Sequence, residues 1–162
     1  MKNIKADLGD ITINTLNPKD FNNYWEMLAN SELAKKTGFE PVLDEKKAKM
    51  LFQSENQDNI TVAIRITKSM KLIGIINLFP EIGENFEPVY NNLELGYFIN
   101  VNYQQHGYMT KALSKTLSLI DGNTLIEATI EKENLPSMKV LQKLNFEEID
   151  HYDGYRTFSL KI

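Results

Sequence analysis

Apolar residues recur along this chain with two periods, and the switches between them predict the order of elements. Ile11 to Leu16 alternates apolar and polar side chains and predicts a strand. Asn17-Pro18 then supplies a helix cap followed by proline at the first helical position. Phe21, Tyr24, Trp25 and Leu28 recur at i, i+3, i+4 and i+7, which is one stripe of a helix. Ser31 to Pro41 carries Gly38 and Pro41 and reads as a loop or a broken helix. Asp44 caps a second helix whose apolar face includes Ala48, Leu51 and Phe52. Both aromatic stripes read as core rather than as ligand-binding surface.

Thr61 to Thr67 alternates around Val62, Ile64 and Ile66, and Lys71 to Phe79 follows after a short turn. The pair predicts an antiparallel hairpin. Pro80 to Asn92 holds Pro80, Gly83, Pro88, Glu81, Glu84 and Glu87 and reads as a solvated loop. Its alternative reading is an acidic rim for a positively charged acceptor. On the next strand Leu93, Leu95, Tyr97 and Ile99 face one way, and Glu94, Gly96 and Phe98 the other. The helix after Gly107 carries a stripe of Met109, Ala112, Leu113, Thr116, Leu117 and Ile120, and Asp121-Gly122-Asn123 ends it. Leu125 to Ile130 is a strand. Asn134 caps a helix with Pro136 in its first turn, and Asn145 stands where a left-handed residue is needed. Phe146 to Ile162 reads as a hairpin turning at Asp153-Gly154, with Phe158, Leu160 and Ile162 on one face. The order β-α-α-β-β-β-α-β-α-β-β predicts an α+β (mixed α/β) three-layer fold.

Composition narrows the function classes. A chain of 162 residues is expected to be a single domain, residues 1–162, burying roughly 70% of its unfolded surface. There is no cysteine, so a disulfide framework, a thiolate metal site and a cysteine nucleophile are excluded. That fits a reducing cytoplasm. No apolar stretch reaches the roughly 20 residues needed to span a bilayer, and Met1 to Leu8 lacks a signal-peptide core. The net charge of −4 argues against a nucleic-acid partner and for a cationic or amine partner. No membrane partner is expected. His106 and His151 are far apart in sequence and have no clustered carboxylates, so no metal site is expected.

The candidate chemistry sits in two strand-to-helix turns. A helix N-terminus offers unpaired N–H groups and a positive dipole end, and glycine lets phosphate oxygens approach closely. Around Gly107, the N–H groups of Gln105, Gly107, Met109 and Thr110 could converge on a diphosphate, with the Thr110 hydroxyl adding a contact. His106 could also reach phosphate, though it reads as exposed, and Tyr108 faces the same turn. There is no Gly-Lys-Ser/Thr and no three-glycine turn, which argues against ATP and nicotinamide dinucleotides.

The run Leu-Gly-Tyr-Phe-Ile-Asn-Val-Asn-Tyr-Gln-Gln-His-Gly-Tyr-Met-Thr-Lys-Ala-Leu resembles the coenzyme A-binding motif of the Gcn5-related N-acetyltransferases (GNAT). Gln104, Gly107 and Met109 occupy its three defining positions. Asn134, Ser137, Leu141, Lys143 and Phe146 match a second signature, that of the RimJ/RimL type, which acetylates ribosomal-protein N-termini. Met109 stands where the family usually has Gly or Ala, Gln105 where this branch often has Gly, and Asn145 where it has Gly.

The resemblance implies a mostly antiparallel twisted sheet of about seven strands, with strands 4 and 5 splayed, flanked by four helices. It also implies an enzyme, an N-acetyltransferase that uses acetyl-CoA as co-substrate. Its acceptor would be a protein N-terminus, a polyamine or another small amine, and a homodimer is possible. Backbone N–H groups around Phe98 and Ile99 would grip the pantetheine arm. Glu94, opposite Leu93 and Leu95 on its strand, is the candidate base for the amine, with Glu127 as understudy. Many relatives place a proton-donating tyrosine where Leu141 stands, so Ser137 is the candidate donor to the leaving thiolate. Asn134 is a helix cap that could also touch the cofactor arm. The alternative is a coenzyme A-binding or regulatory domain of the same fold without catalysis.

Overall fold

The computed structural model describes residues 4–55, 57 and 59–162. The first three residues of the leader reading lie outside these. Among the described residues eight strands form one sheet in the order β1-β2-β3-β4-β5-β6-β8-β7. They are β1 Ala6–Asp7, β2 Ile11–Asn14, β3 Ile60–Ile66, β4 Leu72–Ile82, β5 Pro88–Ile99, β6 Leu125–Glu131, β7 Glu147–Tyr152 and β8 Tyr155–Lys161. Every neighbouring pair is antiparallel except β5 and β6. Among the described residues five α-helices accompany them: α1 Phe21–Ala29, α2 Ser31–Thr37, α3 Glu45–Ser54, α4 Tyr108–Leu117 and α5 Leu135–Lys143.

The layers follow from the alternation of side chains. One face of the sheet puts Ile11, Ile13, Val62, Ile64, Ile76 and Leu78 against Met109, Ala112 and Leu113 of α4 and Leu141 of α5. The other face puts Ala63, Leu72 and Ile75 against Tyr24, Met27 and Leu28 of α1, Leu33 of α2 and Ala48 of α3. The aromatic stripe of α1 is core, as expected: Phe21 and Trp25 pack on this cluster, and Phe52 meets Tyr24 edge-on at 5.1 Å. Leu51, expected on the apolar face of α3, is exposed. On this second face Arg65 makes a buried fork with Asp20 at 2.5 and 2.6 Å and also reaches Asn14. It ties β3 to the 3-10 turn Pro18–Asp20 that precedes α1.

Three features differ from the sequence-based expectation, and each has a local reason. The strand count is eight because β1 is only two residues long, too short to carry a period. Ser31 to Thr37 is a helix, the fifth: the Asn30 side chain caps it by accepting from the Leu33 N–H at 2.8 Å, and left-handed Gly38 ends it. Its inward stripe is only Leu33 and Ala34, so periodicity was a weak signal. Pro80 to Asn92 is mostly hairpin rather than loop. β4 and β5 stay paired to Ile82 and Pro88 across a bulge between Pro80 and Glu81. The tip is mostly exposed, so nothing imposes an apolar face on it.

Other expectations hold. Gly154 and Asp153 turn the terminal hairpin with positive φ, Asn145 is left-handed at φ 64°, and Phe158 is buried. Among the described residues no helix is long and apolar enough to cross a membrane.

Candidate active site

The site begins at the one parallel seam. β5 and β6 pair at three positions only, Asn92, Leu93 and Glu94 against Leu125, Ile126 and Glu127. Beyond them β5 runs on to Ile99 and β6 to Glu131 with no pairing between the two. This is the expected splay of the fourth and fifth strands, now β5 and β6 because β1 precedes them. The opposite edge of β5 remains paired with β4. The Asn100 N–H donates to the Ile73 carbonyl at 2.8 Å, and a Cβ on Gly74 would stand 2.9 Å from the Phe98 carbonyl. Antiparallel alternation therefore turns the Phe98 N–H toward β4, and the N–H groups of Tyr97 and Ile99 toward the open seam. Of the two amides expected at the strand end, Ile99 faces the opening and Phe98 lies in the ladder.

After β5 the chain makes a tight polar turn into α4. The Gln104 side chain donates to the Ile99 carbonyl at 3.2 Å and holds the turn on the strand end. Gln105 is left-handed at φ 62° and Gly107 at φ 75°. His106 bonds the Gln104 carbonyl at 2.7 Å and stacks on Tyr108 at 5.3 Å, so it braces the turn from outside. The first helical bond of α4 runs from the Lys111 N–H to the Gly107 carbonyl. The N–H groups of Tyr108, Met109 and Thr110 precede that bond and have no intrahelical acceptor. A Cβ on Gly107 would meet nothing within 4 Å, so the space before these donors is open. Met109 is buried against the sheet, which keeps its side chain from crowding the turn.

These parts line a cleft of about 310 Å³, closed on its far side by α5 and α2. The Asn134 side chain accepts from the Ser137 N–H at 3.2 Å and caps α5. Ser137 is half-buried and lines the cleft. Leu141, where a tyrosine is usual, is fully buried. The Tyr97 hydroxyl crosses from β5 and donates to the Ser137 carbonyl at 3.2 Å. Burial pushes the Tyr97 phenol up to about 12, with the neighbouring Ser137 pulling the other way.

Glu94 does not line this cleft. It is exposed on the opposite face of the sheet, in a pocket of about 240 Å³ with Glu81, Asn92, Glu127 and Thr129. Strand register puts Phe79, Glu94, Glu127 and Ser159 in one row across β4, β5, β6 and β8. Glu94 and Glu127 are the last paired positions before the seam opens.

A family model described as an acetyltransferase (GNAT) domain matches residues 10–147. The chain belongs to that family. Solved structures agree on the fold. The GNAT-family acetyltransferase of Bacillus anthracis superposes with a TM-score of 0.80 at 18% identity, covering 98% of each chain. A spermidine N-acetyltransferase of Vibrio cholerae, in complex with CoA and spermine, gives 0.76 at 15% identity over 94% of this chain and 95% of that one. The ribosomal-protein-S5-alanine acetyltransferase of Vibrio fischeri gives 0.73 at 14%, over 98% and 96%. A comparison with curated protein sequences finds no match.

Within this GNAT fold the cleft holds residues beyond those expected from sequence. Tyr97 is one. Lys139 and Lys143 of α5 are others, and they give that wall positive charge in a chain whose net charge is −4; Lys36 of α2 also lines the cleft but is paired with Glu32 at 2.7 Å. The i,i+4 spacing of Lys139 and Lys143 puts them on one helix face and was readable in advance. The Tyr97 contact spans 40 residues and was not. Among the described residues no group of three or more His, Cys, Asp or Glu could hold a metal ion.

Proposed function

We propose that this chain is an acetyl-CoA-dependent N-acetyltransferase of the RimJ/RimL type, acting as one cytoplasmic domain on a primary amine. One observation carries the reading: an anion-ready cleft stands where the β5–β6 seam opens, and an acidic pocket stands at the seam's last paired positions.

The cleft fits coenzyme A. Its donors are the Gly107 turn and the first N–H groups of α4, its walls carry lysines, and the seam beside it has unpaired strand amides. Acetyl-CoA supplies an activated thioester. Gly107, Tyr108, Met109 and Thr110 hold the diphosphate, with Gln104, Gln105 and His106 shaping the turn. The Ile99 and Tyr97 amides face the thioester end of the arm, and Asn134 and Ser137 face it from α5. Such donors are fixed before reaction and need no reorganisation.

The amine approaches from the acidic face. An α-amine with a pKa of about 8, or a lysine at about 10.4, arrives charged and must lose a proton. Glu94 takes that proton, directly or through water, with Glu127 beside it attracting the cation. The amine nitrogen would bond the acetyl carbon as the carbon–sulfur bond breaks; the Ser137 hydroxyl would give the sulfur a proton and recover, directly or through water, the second proton that the nitrogen sheds as the amide forms. Positioning the two reactants across the seam supplies the proximity term. The acceptor is a protein N-terminus, a polyamine or another small amine, and the acidic pocket suits any of them.

The test is a thermal melt with acetyl-CoA, coenzyme A and ATP at matched concentrations, followed by an amine panel. A ligand at about 100 times its dissociation constant adds roughly 2.7 kcal/mol, or about 5–10 °C for a chain of this size. Shifts with both coenzyme A species and none with ATP are expected, then turnover with an N-terminal-alanine peptide or spermidine. No shift with coenzyme A overturns the reading. A shift without turnover on any amine favours a coenzyme A-binding domain without catalysis.

A further inference from the structure

The seam between β5 and β6 is open on backbone terms, yet one side chain bridges it. Tyr97 lies on β5 three residues past the last paired position, Glu94, and on the face that carries α4 and α5. Its hydroxyl reaches the first turn of α5 and donates to the Ser137 carbonyl. α5 is otherwise held by the buried side chain of Leu141, by Met138 and Val140 packed against the core, by the Arg156 contact to Met138 and by its Asn134 cap. Pro136 and Leu135, the flanking residues of the first turn, are exposed. The tyrosine absent from position 141 is thus matched by one arriving from the strand, with its oxygen at the same residue that would serve the sulfur.

We propose that Tyr97 is a positioning residue for the transfer: by tying the Ser137 carbonyl to β5 across the seam, it sets where the Ser137 hydroxyl stands in the cleft. The inference rests on the proposed function for its catalytic consequence, but not for its structural one. In a first turn, N–H groups lack helical acceptors and side-chain caps carry the order. A tether from the strand then has leverage that the same bond in mid-helix would not. The phenol keeps its proton throughout the working pH range, so the tether does not switch off.

The test uses Tyr97→Phe, which keeps the ring in the core and removes the hydroxyl. Hydrogen exchange reads the tether without any turnover. The Ser137 and Met138 N–H groups bond to Asn134, so both are protected in the parent. Exchange at these two amides should rise roughly fivefold in the variant, the usual effect of one lost hydrogen bond, while Lys111 in α4 stays unchanged. Unchanged exchange at Ser137 and Met138 overturns the proposal whatever the activity. Kinetics with acetyl-CoA and spermidine, or an N-terminal-alanine peptide, give the second arm. kcat should fall about tenfold with the amine KM held, and the fall should vanish in a Ser137→Ala background. A fall of equal size in that background would show Tyr97 acting on its own and overturn its positioning role. Altered exchange in a protein that turns over no amine would sink the proposed function and leave the tether standing.

Discussion

The two openings beside the β5–β6 seam differ in nearly every physical respect. The cleft between α4, α5 and α2 is larger, mostly apolar and bordered by lysines and free helix amides. The pocket beside the paired end of the seam is smaller, polar and acidic, with Glu81, Glu94 and Glu127 around it. The first is built from secondary structure: a strand end, a left-handed turn and two helix starts. The second is built from register, since parallel pairing sets Glu94 directly beside Glu127. Like charges side by side on neighbouring strands are unfavourable, so this pairing is not there for sheet stability. The contrast teaches how the proposed reaction would use the sheet: the anionic co-substrate would enter where the seam is open, and the cationic acceptor from the acidic pocket at its paired end.

The largest effect should come from Glu94→Gln. If the faces divide the work as proposed, kcat/KM for the amine falls about 100-fold or more. The melting shift with coenzyme A stays at its parental value. A variant that loses both would mean that Glu94 also shapes the cleft, and the division between faces would fail.

The next prediction separates the faces by alkaline titration. Tyr97 on the cleft side holds its proton to about 12 through burial, against about 10 in an unfolded chain. The unfolded state therefore releases that proton first, and stability falls as pH rises from about 10 to about 12. Below about 10 the contribution is complete. The phenol accounts for about 2–3 kcal/mol of the fall. Tyr24, on the other face, is also raised, by burial first and then by the Glu55 carboxylate that its hydroxyl contacts at 3.0 Å. Denaturant midpoints at pH 9 and 11.5 should show a shallower decline in Tyr97→Phe, with the Tyr24 part remaining. An unchanged decline would mean that Tyr97 is not sealed from water.

Gly107→Ala should act on the cleft alone and more gently. A methyl there clashes with nothing, but φ 75° is costly for an L side chain, by about 1 kcal/mol. The midpoint should drop by about 2–4 °C. Coenzyme A should lose about tenfold in affinity, because the methyl occupies the space before the α4 amides. Isothermal titration reads that loss, and equal affinity would move the anion site elsewhere.

The cleft was the more legible of the two openings. Its turn is local: Gly107, the stripe of α4 and the Asn134 cap all announce themselves within a few residues. The acidic pocket needed the partner strand. Glu94 could be assigned a face from Leu93 and Leu95, but that this face excludes the Ser137 cleft follows only from the layering. For Tyr97 only the face it shares with Leu93, Leu95 and Ile99 is legible, because its hydroxyl finds a partner 40 residues away on a helix whose docking no period encodes. The short β1 and the solvent-projecting hairpin tip were missed for the opposite reason, since neither buries enough to leave a pattern.

Gln105 gives the smallest and most discriminating effect. It sits in the same turn as Gly107, at φ 62°, without the glycine that makes such a backbone easy. Its side chain is exposed, so the strain is not offset by core packing. Gln105→Gly relieves a left-handed side chain but gives the unfolded chain more freedom, and the two terms oppose each other. The net gain should be about 0.5 kcal/mol, a rise of about 1–2 °C in the midpoint. Coenzyme A affinity should stay level or improve, because a bare backbone lets the diphosphate come closer. The acidic pocket should not notice: amine KM and the Glu94→Gln penalty should both be unchanged. If Gln105→Gly instead weakens coenzyme A, the Gln105 side chain itself reaches the ligand, and the cleft binds by more than backbone amides and lysines.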